Sequence, residues 1–388
     1  MSGTNAPEPG HRHLDSRRRP ELPEEANVRV VVLWANDEST NLGVRALAHG
    51  TAALVERSWP GAEVVHLYYG SSVSPMPLGS WRTLARARVD RRLPLRDWFA
   101  GFDLAVDTRG GDSFADIYGL GRLTNQSLVA EVARSAGTPV VLGPQTVGPF
   151  RTRRGTALGR FTLARSAAVI ARDAVSAEHA TRLGRPVDLL ATDVVFALPR
   201  PAVERSRDVL LNVSGLLWAP NPHVEAARYR ETVLDLSRKL VASGRRLSLL
   251  AHVLDSPAVD NDVPAVRELA ALLDDPDVEV LVPRDLAHVR ELTASARLVV
   301  GSRMHACLNA LSCATPAVPL AYSRKFAPLL AGLGWDHTVD LRTAPNPVDD
   351  VLALADRPLD DDVEGALARA DELLAPVPGV LHRVGDAG

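Results

Sequence analysis

Residues 301–312 contain an arginine and a histidine two positions apart, Arg303 and His305, directly after a β-branched run that ends in glycine. The run is typical of a strand and the apolar stretch after it of a helix, so the pair is expected at a strand-to-helix turn. The first turn of a helix binds anions through its free N–H groups, and a guanidinium and an imidazole add positive charge. The pattern therefore indicates a phosphate or carboxylate site that includes Ser302. The alternative is that Ser302 only caps the helix and both basic side chains face solvent.

Three further basic side chains follow other predicted strands, namely Arg172, His252 and Lys325. Ligands of open α/β sheets bind at the carboxyl ends of the strands, so we expect these side chains to converge with Arg303 and His305 on one crevice. The alternatives are a salt bridge of Arg172 with Asp173 or a capping role for Asp173, and a purely structural role for His252.

A glycine-rich loop contains the candidate carboxylates. Gly110 and Gly111 follow a predicted strand at residues 102–107, and Asp112 and Asp116 come shortly after them. Paired glycines allow positive φ angles and close approach of the backbone to a ligand. A carboxylate in such a loop can act as general base toward a hydroxyl or hydrogen-bond a sugar. The alternative is a capped turn in which Asp112 is the cap.

Strand and helix patterns alternate through the first half of the chain and restart after a proline-rich, charged linker near residue 200. This order predicts an α/β protein of two doubly wound, Rossmann-like domains that face each other across a cleft. The arginine-rich and proline-rich stretch at residues 71–92 is predicted to be a loop with a short helix. The predicted units are a disordered tail (1–26), an N-terminal α/β domain (27–200), a C-terminal α/β domain (201–345) and C-terminal helices (346–388).

The composition narrows the classes of partner. The 388 residues include 44 Lys and Arg against 47 Asp and Glu, a formal net charge of -3, so no global positive field recruits nucleic acid. No stretch reaches the roughly 20 apolar residues of a membrane span. The cysteines, Cys307 and Cys313, are six positions apart and would lie on different faces of one helix. This spacing argues against a disulfide and a metal site and indicates a reduced, cytoplasmic protein.

An ordered set of motifs resembles the polysaccharide pyruvyl transferase family. The set spans roughly residues 28–340 and comprises Gly-Ser-Arg-Met-His at 301–305, Ala-Tyr-Ser-Arg-Lys-Phe at 321–326, Gly-Pro-Gln-Thr-Val-Gly-Pro-Phe at 143–150, Arg-Asp-Ala-Val-Ser at 172–176, and His252 with Asn261 and Asp262. The resemblance implies a fold like that of the two-domain GT-B glycosyltransferases. It also implies transfer of pyruvate from phosphoenolpyruvate to a sugar of a cell-surface glycan or glycolipid as a cyclic ketal, with release of phosphate.

The resemblance associates Arg303, His305 and, through a shorter motif, Arg172 with donor binding and catalysis. Ser302, Lys325 and His252 complete the predicted donor site, on the C-terminal side of the cleft. Phosphoenolpyruvate carries a phosphate and a carboxylate, which several cations and a helix N-terminus suit. It is the donor substrate, and neither a metal nor a further cofactor is implied.

The predicted catalytic set is His305, Arg303, Asp112 and Asp116. Addition of a sugar hydroxyl to C2 of phosphoenolpyruvate requires a proton delivered to the methylene carbon and another removed from the hydroxyl. His305 is the expected acid because imidazole changes its charge near neutral pH. Asp112 or Asp116 is the expected base.

Two other functions stay open at this point. A glycosyltransferase with a nucleotide-sugar donor would use the same architecture, since fold does not determine function. A degenerate sugar-binding protein would have no evident use for Arg303, His305 and Lys325 together. The expected partners are a saccharide or lipid-linked saccharide acceptor, bound by the N-terminal domain, and homo-oligomerisation is left open.

Overall fold

The computed structural model of the protein describes residues 28–386, so the predicted tail at residues 1–26 lies outside the described part. A parallel sheet of six strands forms the first half. Its strands are β1 (Arg29–Leu33), β2 (Glu63–Leu67), β3 (Leu104–Asp107), β4 (Val140–Gln145), β5 (Ala168–Ala171) and β6 (Leu189–Leu190), in the spatial order β2-β1-β3-β4-β5-β6. In the register of this sheet, Val31 lies opposite Val65 on one side and Ala105 on the other.

A second parallel sheet of six strands forms the other half. Its strands are β7 (Arg207–Asn212), β8 (Leu247–Leu250), β9 (Glu279–Leu281), β10 (Ala296–Gly301), β11 (Ala317–Ala321) and β12 (Val339–Asp340), in the spatial order β12-β11-β10-β7-β8-β9. Val299 lies opposite Leu210 and Ala317 in its register. The central strands are continuous apolar runs because helices cover both faces of each sheet and exclude water from them.

The helices connect the strands in alternation. In the first half they are α1 (Leu42–Ser58), α2 (Trp81–Val89), α3 (Pro94–Phe99), α4 (Leu120–Ala136), α5 (Arg153–Arg165) and α6 (Ala174–Arg182). In the second half they are α7 (Gly215–Trp218), α8 (Ala226–Ala242), α9 (Asp262–Leu273), α10 (Leu286–Ala294), α11 (Met304–Ser312) and α12 (Phe326–Gly332). The chain ends with α13 (Pro347–Ala355), α14 (Asp360–Leu374) and α15 (Val377–Gly385).

The predicted class, an α/β protein with two doubly wound parallel sheets, is confirmed. The domain boundaries stay predictions, and the last helix returns to the first half, where the rings of His382 and Trp59 are 4.8 Å apart. Strand β4 extends into the Gly-Pro-Gln-Thr motif as far as Gln145, with Gly143 and Pro144 accommodated within it. Cys313 follows the end of α11 instead of lying inside it.

The two halves meet where the carboxyl ends of both sheets face each other. The N–H of Leu42, at the start of α1, donates to the carbonyl of His252, 3.2 Å away, just after β8. The N–H of Leu254 donates to the carbonyl of Thr40 at 2.8 Å. Further along the cleft, the Arg324 guanidinium donates to the Gly148 carbonyl at 2.8 Å. Loops of the first half therefore close directly onto strand ends of the second.

Candidate active site

The junction between β10 and α11 lies at the centre of this cleft. Arg303 is the N-cap residue of α11, and its N–H donates to Asn212 Oδ1 at 2.9 Å. Ser302 makes no cap, so that alternative is wrong. Its side chain is buried, and its Oγ accepts a hydrogen bond from the Tyr229 hydroxyl at 2.7 Å. The backbone at this turn is thus held in place by β7 and α8.

A buried carboxylate, Asp193, connects the two halves at the first turn of α11. Its Oδ2 accepts a hydrogen bond from Arg172 Nη1 at 2.8 Å and lies 3.5 Å from His305 Nε2. Burial alone would raise the pKa of Asp193, but His305 and then Arg172 outweigh burial and hold this pKa well below its usual range. Asp193 is therefore an ionised group that attracts two basic side chains from different sheets.

The position of His305 is defined on both sides of its ring. Nδ1 packs against α1 so closely that a Cβ on Gly43 would lie 2.7 Å from it. Nε2 has no hydrogen-bond partner among residues 28–386. The His305 side chain is 16% exposed, whereas Asp193 and Arg172 are enclosed. Nε2 is itself buried, so the ring has an unpartnered nitrogen next to a fixed negative charge.

Arg172 forms the ion pair with Asp193 and not the predicted alternative pair with its neighbour. Asp173 instead caps α6, where its Oδ1 accepts from the Ser176 N–H at 2.7 Å. Arg172 Nε donates to Thr146 Oγ1 at 3.0 Å, in the loop after β4. A Cβ at Gly111 would lie 3.2 Å from Arg172 Nη1, and the φ of Gly111 is 83°. The glycine that the loop motif predicted is required here by both backbone conformation and space.

Arg303 is bound by a carboxylate of the second half. Its Nη2 and Nε donate to Asp262 Oδ1 at 2.7 and 3.1 Å, and Nη2 also contacts the carbonyl of Asp260. Burial lowers the pKa of Arg303 and Asp262 raises it, with a net rise. Asp262 Oδ2 accepts from the His252 and Val253 N–H groups at 3.0 and 2.9 Å. The guanidinium is therefore part of a buried polar cluster that fixes the loop after β8.

His252 has the contacts of a structural histidine. The Asn309 amide nitrogen lies 3.0 Å from its Nε2, so the amide donates to a neutral imidazole. Burial lowers the pKa of His252 well below its usual value, and His305 and Arg303 lower it further. His252 is thus close to the cluster but is an uncharged ring without exposed surface, contrary to its expected role in holding an anion.

Lys325 and Asp112 form the second ion pair across the cleft. Lys325 Nζ lies 3.0 Å from Asp112 Oδ2, which also accepts from the Tyr118 hydroxyl at 2.9 Å. Burial raises the pKa of Asp112, but Lys325 and then Arg172 hold it well below its usual range. The Lys325 side chain is 25% exposed. Asp112 is therefore ionised and within the field of Arg172. It is also the C-cap residue of the turn at 109–111, where its N–H donates to the Arg109 carbonyl, so its backbone caps the turn while its side chain faces the cleft.

Asp116 does not belong to the cluster. Its carboxylate accepts hydrogen bonds from the N–H groups of Arg151 and Thr152, at 2.8 and 2.7 Å, and from the Thr152 hydroxyl at 2.7 Å. These donors occupy the carboxylate and fix the start of α5. The prediction of Asp116 as a base is therefore not supported by its surroundings. Asp116 begins the next turn, at residues 116–118, and its side chain faces a different loop from that of Asp112.

The structure thus brings Arg172, His305, Lys325 and Asp112 together, with Arg303 and His252 directly behind them. Sequence reasoning missed Asp193, although the residue follows the short strand β6 and so has the same strand-end position that identified Arg172. Within residues 28–386, no group of three His, Cys, Asp or Glu side chains is arranged to hold a metal ion. Within the same range, no helix has the length and apolarity of a membrane span.

Comparison with known sequences identifies a family. The family model described as polysaccharide pyruvyl transferase matches residues 41–324. A curated relative, the amylovoran biosynthesis protein AmsJ of Erwinia amylovora, is 23% identical over 290 residues, which is 69% of this chain and 66% of that protein. The match therefore covers slightly less than two thirds of the length of AmsJ.

Comparison with solved structures identifies the fold. UDP-GlcNAc 2-epimerase from Neisseria meningitidis, bound to UDP-GlcNAc, superimposes with a TM-score of 0.57 at 12% identity, over 93% of this chain and 100% of that chain. The α,α-trehalose 6-phosphate synthase of Burkholderia multivorans has a TM-score of 0.53 at 12% identity, over 93% of this chain and 98% of that chain. The architecture is accordingly GT-B-like.

Proposed function

We propose that this chain, which belongs to the polysaccharide pyruvyl transferase family, transfers pyruvate from phosphoenolpyruvate to a saccharide as a cyclic ketal. The observation that carries the proposal is the meeting of Arg172 and His305, from different sheets, at the Asp193 carboxylate. Lys325, which pairs with Asp112, and the N–H groups of the first turn of α11 lie at the same cleft. An anionic donor with two charged groups suits such a site better than a neutral one.

The proposed donor site uses charges at two depths. Lys325, whose side chain is 25% exposed, would contact a charged group of the donor directly, whereas His305 Nε2 is buried beside Asp193 and would act on the donor from the inner end of the site. Arg172 and Arg303 are enclosed and ion-paired, so they would contribute positive potential and hold the loops in position. This division differs from the sequence-based expectation, in which Arg303 itself held the donor. It follows from the strong bond between Arg303 and Asp262.

The proposed reaction begins when a sugar hydroxyl oxygen bonds to C2 of phosphoenolpyruvate while C3 gains a proton from His305 Nε2. The C2–O bond to phosphate then breaks, phosphate leaves, and the second hydroxyl bonds to C2 and closes the ketal. The two hydroxyls lose two protons in total: one replaces the proton that His305 gave to C3, and the other leaves with phosphate or to solvent. Asp112 is the carboxylate that lies in the cleft to receive a hydroxyl proton, although its pairing with Lys325 makes it a weak base.

A direct test measures phosphate release from phosphoenolpyruvate against a panel of saccharide acceptors, with His305→Gln beside the parent. If His305 is the acid, the folded variant should keep its phosphoenolpyruvate affinity and lose about 10²–10⁴-fold in turnover. His337→Gln is a matched control, since His337 pairs with Asp362 at 2.7 Å, away from the cleft. A folded His305→Gln protein with parental turnover would contradict the assignment.

Calorimetry separates this function from nucleotide-sugar transfer. The proposal expects saturable binding of phosphoenolpyruvate that weakens when Lys325 is replaced by methionine. A glycosyltransferase would instead bind a nucleoside diphosphate and show no binding of phosphoenolpyruvate, which would overturn the proposal.

A further inference from the structure

One face of the N-terminal half has a charge that contrasts with the whole chain. Between residues 81 and 99 there are six arginines and two aspartates, whereas the full chain has a formal net charge of -3. The segment comprises α2, a short turn and α3. Leu84 and Ala87 of α2 are buried against the domain. The arginines on the opposite side of this helix therefore point outward.

We call the outward face the basic surface, formed by Trp81, Arg82, Arg86, Val89, Arg91 and Arg92, all of which are exposed. Within residues 28–386, none of its four arginines forms an ion pair, and the nearby Arg88 approaches only Glu131, at 3.7 Å. Exposed arginines normally alternate with acidic side chains on a soluble surface. The basic surface thus has unneutralised positive charge.

The basic surface also exposes apolar side chains at both ends of α2. Trp81 is 52% exposed and Val89 is 72% exposed. The Arg82 guanidinium lies over the Trp81 ring, with 5.2 Å between Cζ and the centroid. Tryptophan next to arginine is the combination enriched at the interface between water and lipid, where the ring lies at headgroup depth. An exposed valine has no comparable partner in a soluble polyanion.

We propose that the basic surface docks this protein onto an anionic lipid bilayer. The arginines would pair with anionic headgroups, and Trp81 and Val89 would enter the headgroup region. A soluble acidic polymer would satisfy the arginines but would leave Val89 without an apolar environment. The bilayer is therefore the occupant that accounts for both the charge and the apolar side chains.

A chain of contacts leads from the basic surface to the cleft. The Asn125 side chain donates to the carbonyl of Gly79, one residue before the cap of α2, at 3.0 Å. On the same helix, α4, the Arg122 guanidinium lies 5.8 Å from the Tyr118 ring centroid. Tyr118 in turn donates to Asp112. On the proposed function, a membrane-bound protein would accept a lipid-linked saccharide at the Asp112 end of the cleft.

The test is sedimentation of the full chain with vesicles of phosphatidylcholine alone or with about one third phosphatidylglycerol. Each arginine near an anionic surface is worth roughly fivefold in partitioning. The Arg82→Gln, Arg86→Gln variant should therefore bind the anionic vesicles about 25-fold more weakly. Trp81→Ala should weaken binding further, and raised salt should weaken the parent. This assay needs no phosphoenolpyruvate, so its outcome is independent of the proposed reaction.

The matched control is Arg153→Gln, Arg154→Gln, which removes the same charge from exposed positions on α5. It should keep parental vesicle binding. Equal losses in both variants would mean that net charge alone acts, and would overturn the proposal. So would absence of binding to anionic vesicles at low salt. If soluble dextran sulfate competed with vesicle binding equally well in the Trp81→Ala and Val89→Ala variants, the surface would be assigned to a soluble polyanion and the bilayer proposal would be overturned.

Discussion

Asp193→Asn should lower turnover, because Asp193 is the only carboxylate within 4 Å of His305 among the described residues. At 3.5 Å and an effective dielectric constant of about 20, the attraction between the two charges is roughly 5 kcal/mol before desolvation. The amide keeps the shape of the side chain and removes the negative charge that faces His305 Nε2. We expect turnover to fall about 10²-fold or more, because His305 is the proposed acid and this charge helps to position its ring.

The same substitution carries a stability cost that must be separated from the catalytic effect. Arg172 would be left buried beside a neutral amide, and breaking a buried ion pair destabilises by about 3–5 kcal/mol. Combining Asp193→Asn with Arg172→Gln removes the unpaired charge, so part of the lost thermal stability should return. The loss of turnover, measured by phosphate release, should appear in Asp193→Asn at temperatures where the protein is still folded.

The chain offers a matched control in another buried ion pair of the first half. Asp107 Oδ2 lies 2.9 Å from Arg109 Nε, and both side chains are fully enclosed. Asp107→Asn should also lower thermal stability and should leave the turnover of the folded protein unchanged. Our reasoning about Asp193 would be refuted if both variants turned over at the parental rate after correction for the folded fraction.

Two further predictions use the close contacts of the cluster. Gly43→Ala would place a methyl group 2.7 Å from His305 Nδ1, so turnover should fall at least about tenfold despite the better helix propensity of alanine. The control is Gly121→Ala, where a Cβ meets open space, and it should keep parental turnover. Equal rates in the two variants would contradict the importance of this contact. The pKa of His252 is lowered in the folded protein, so as the pH falls this histidine is protonated in the unfolded chain before it is protonated in the folded one. The stability that neutral His252 contributes is therefore present above pH about 6.5 and lost below it, by at most about 1.4 kcal/mol per pH unit. Denaturant unfolding from pH 7.5 to 5.5 should show this slope in the parent and a smaller one in His252→Gln, and identical slopes would contradict the prediction.

The alternation of strands and helices determined the fold class from sequence alone. Buried parallel strands must be continuous apolar runs, and each needs a helix to cover it, so a one-dimensional pattern is enough to identify them. The strand-end rule also located Arg172, His305 and Lys325 correctly at one cleft, because the carboxyl ends of parallel strands share an edge. For residues 71–92 the sequence predicted only a loop with a short helix, because α2 has an apolar side of only two buried residues, Leu84 and Ala87.

Tertiary structure alone decided which partner each charged group has. Arg172 pairs with Asp193, 21 residues away, and not with the adjacent Asp173, and Arg303 pairs with Asp262, 41 residues away. These pairings depend on how the two sheets meet, because the attraction between two charges is set by their distance in space and not by their separation along the chain. Sequence spacing likewise could not distinguish the role of Asp112 from that of Asp116. The loop between them bends and directs the Asp112 carboxylate into the cleft and the Asp116 carboxylate to the backbone just before α5. The roles of these side chains were thus set by distances that no periodicity encodes.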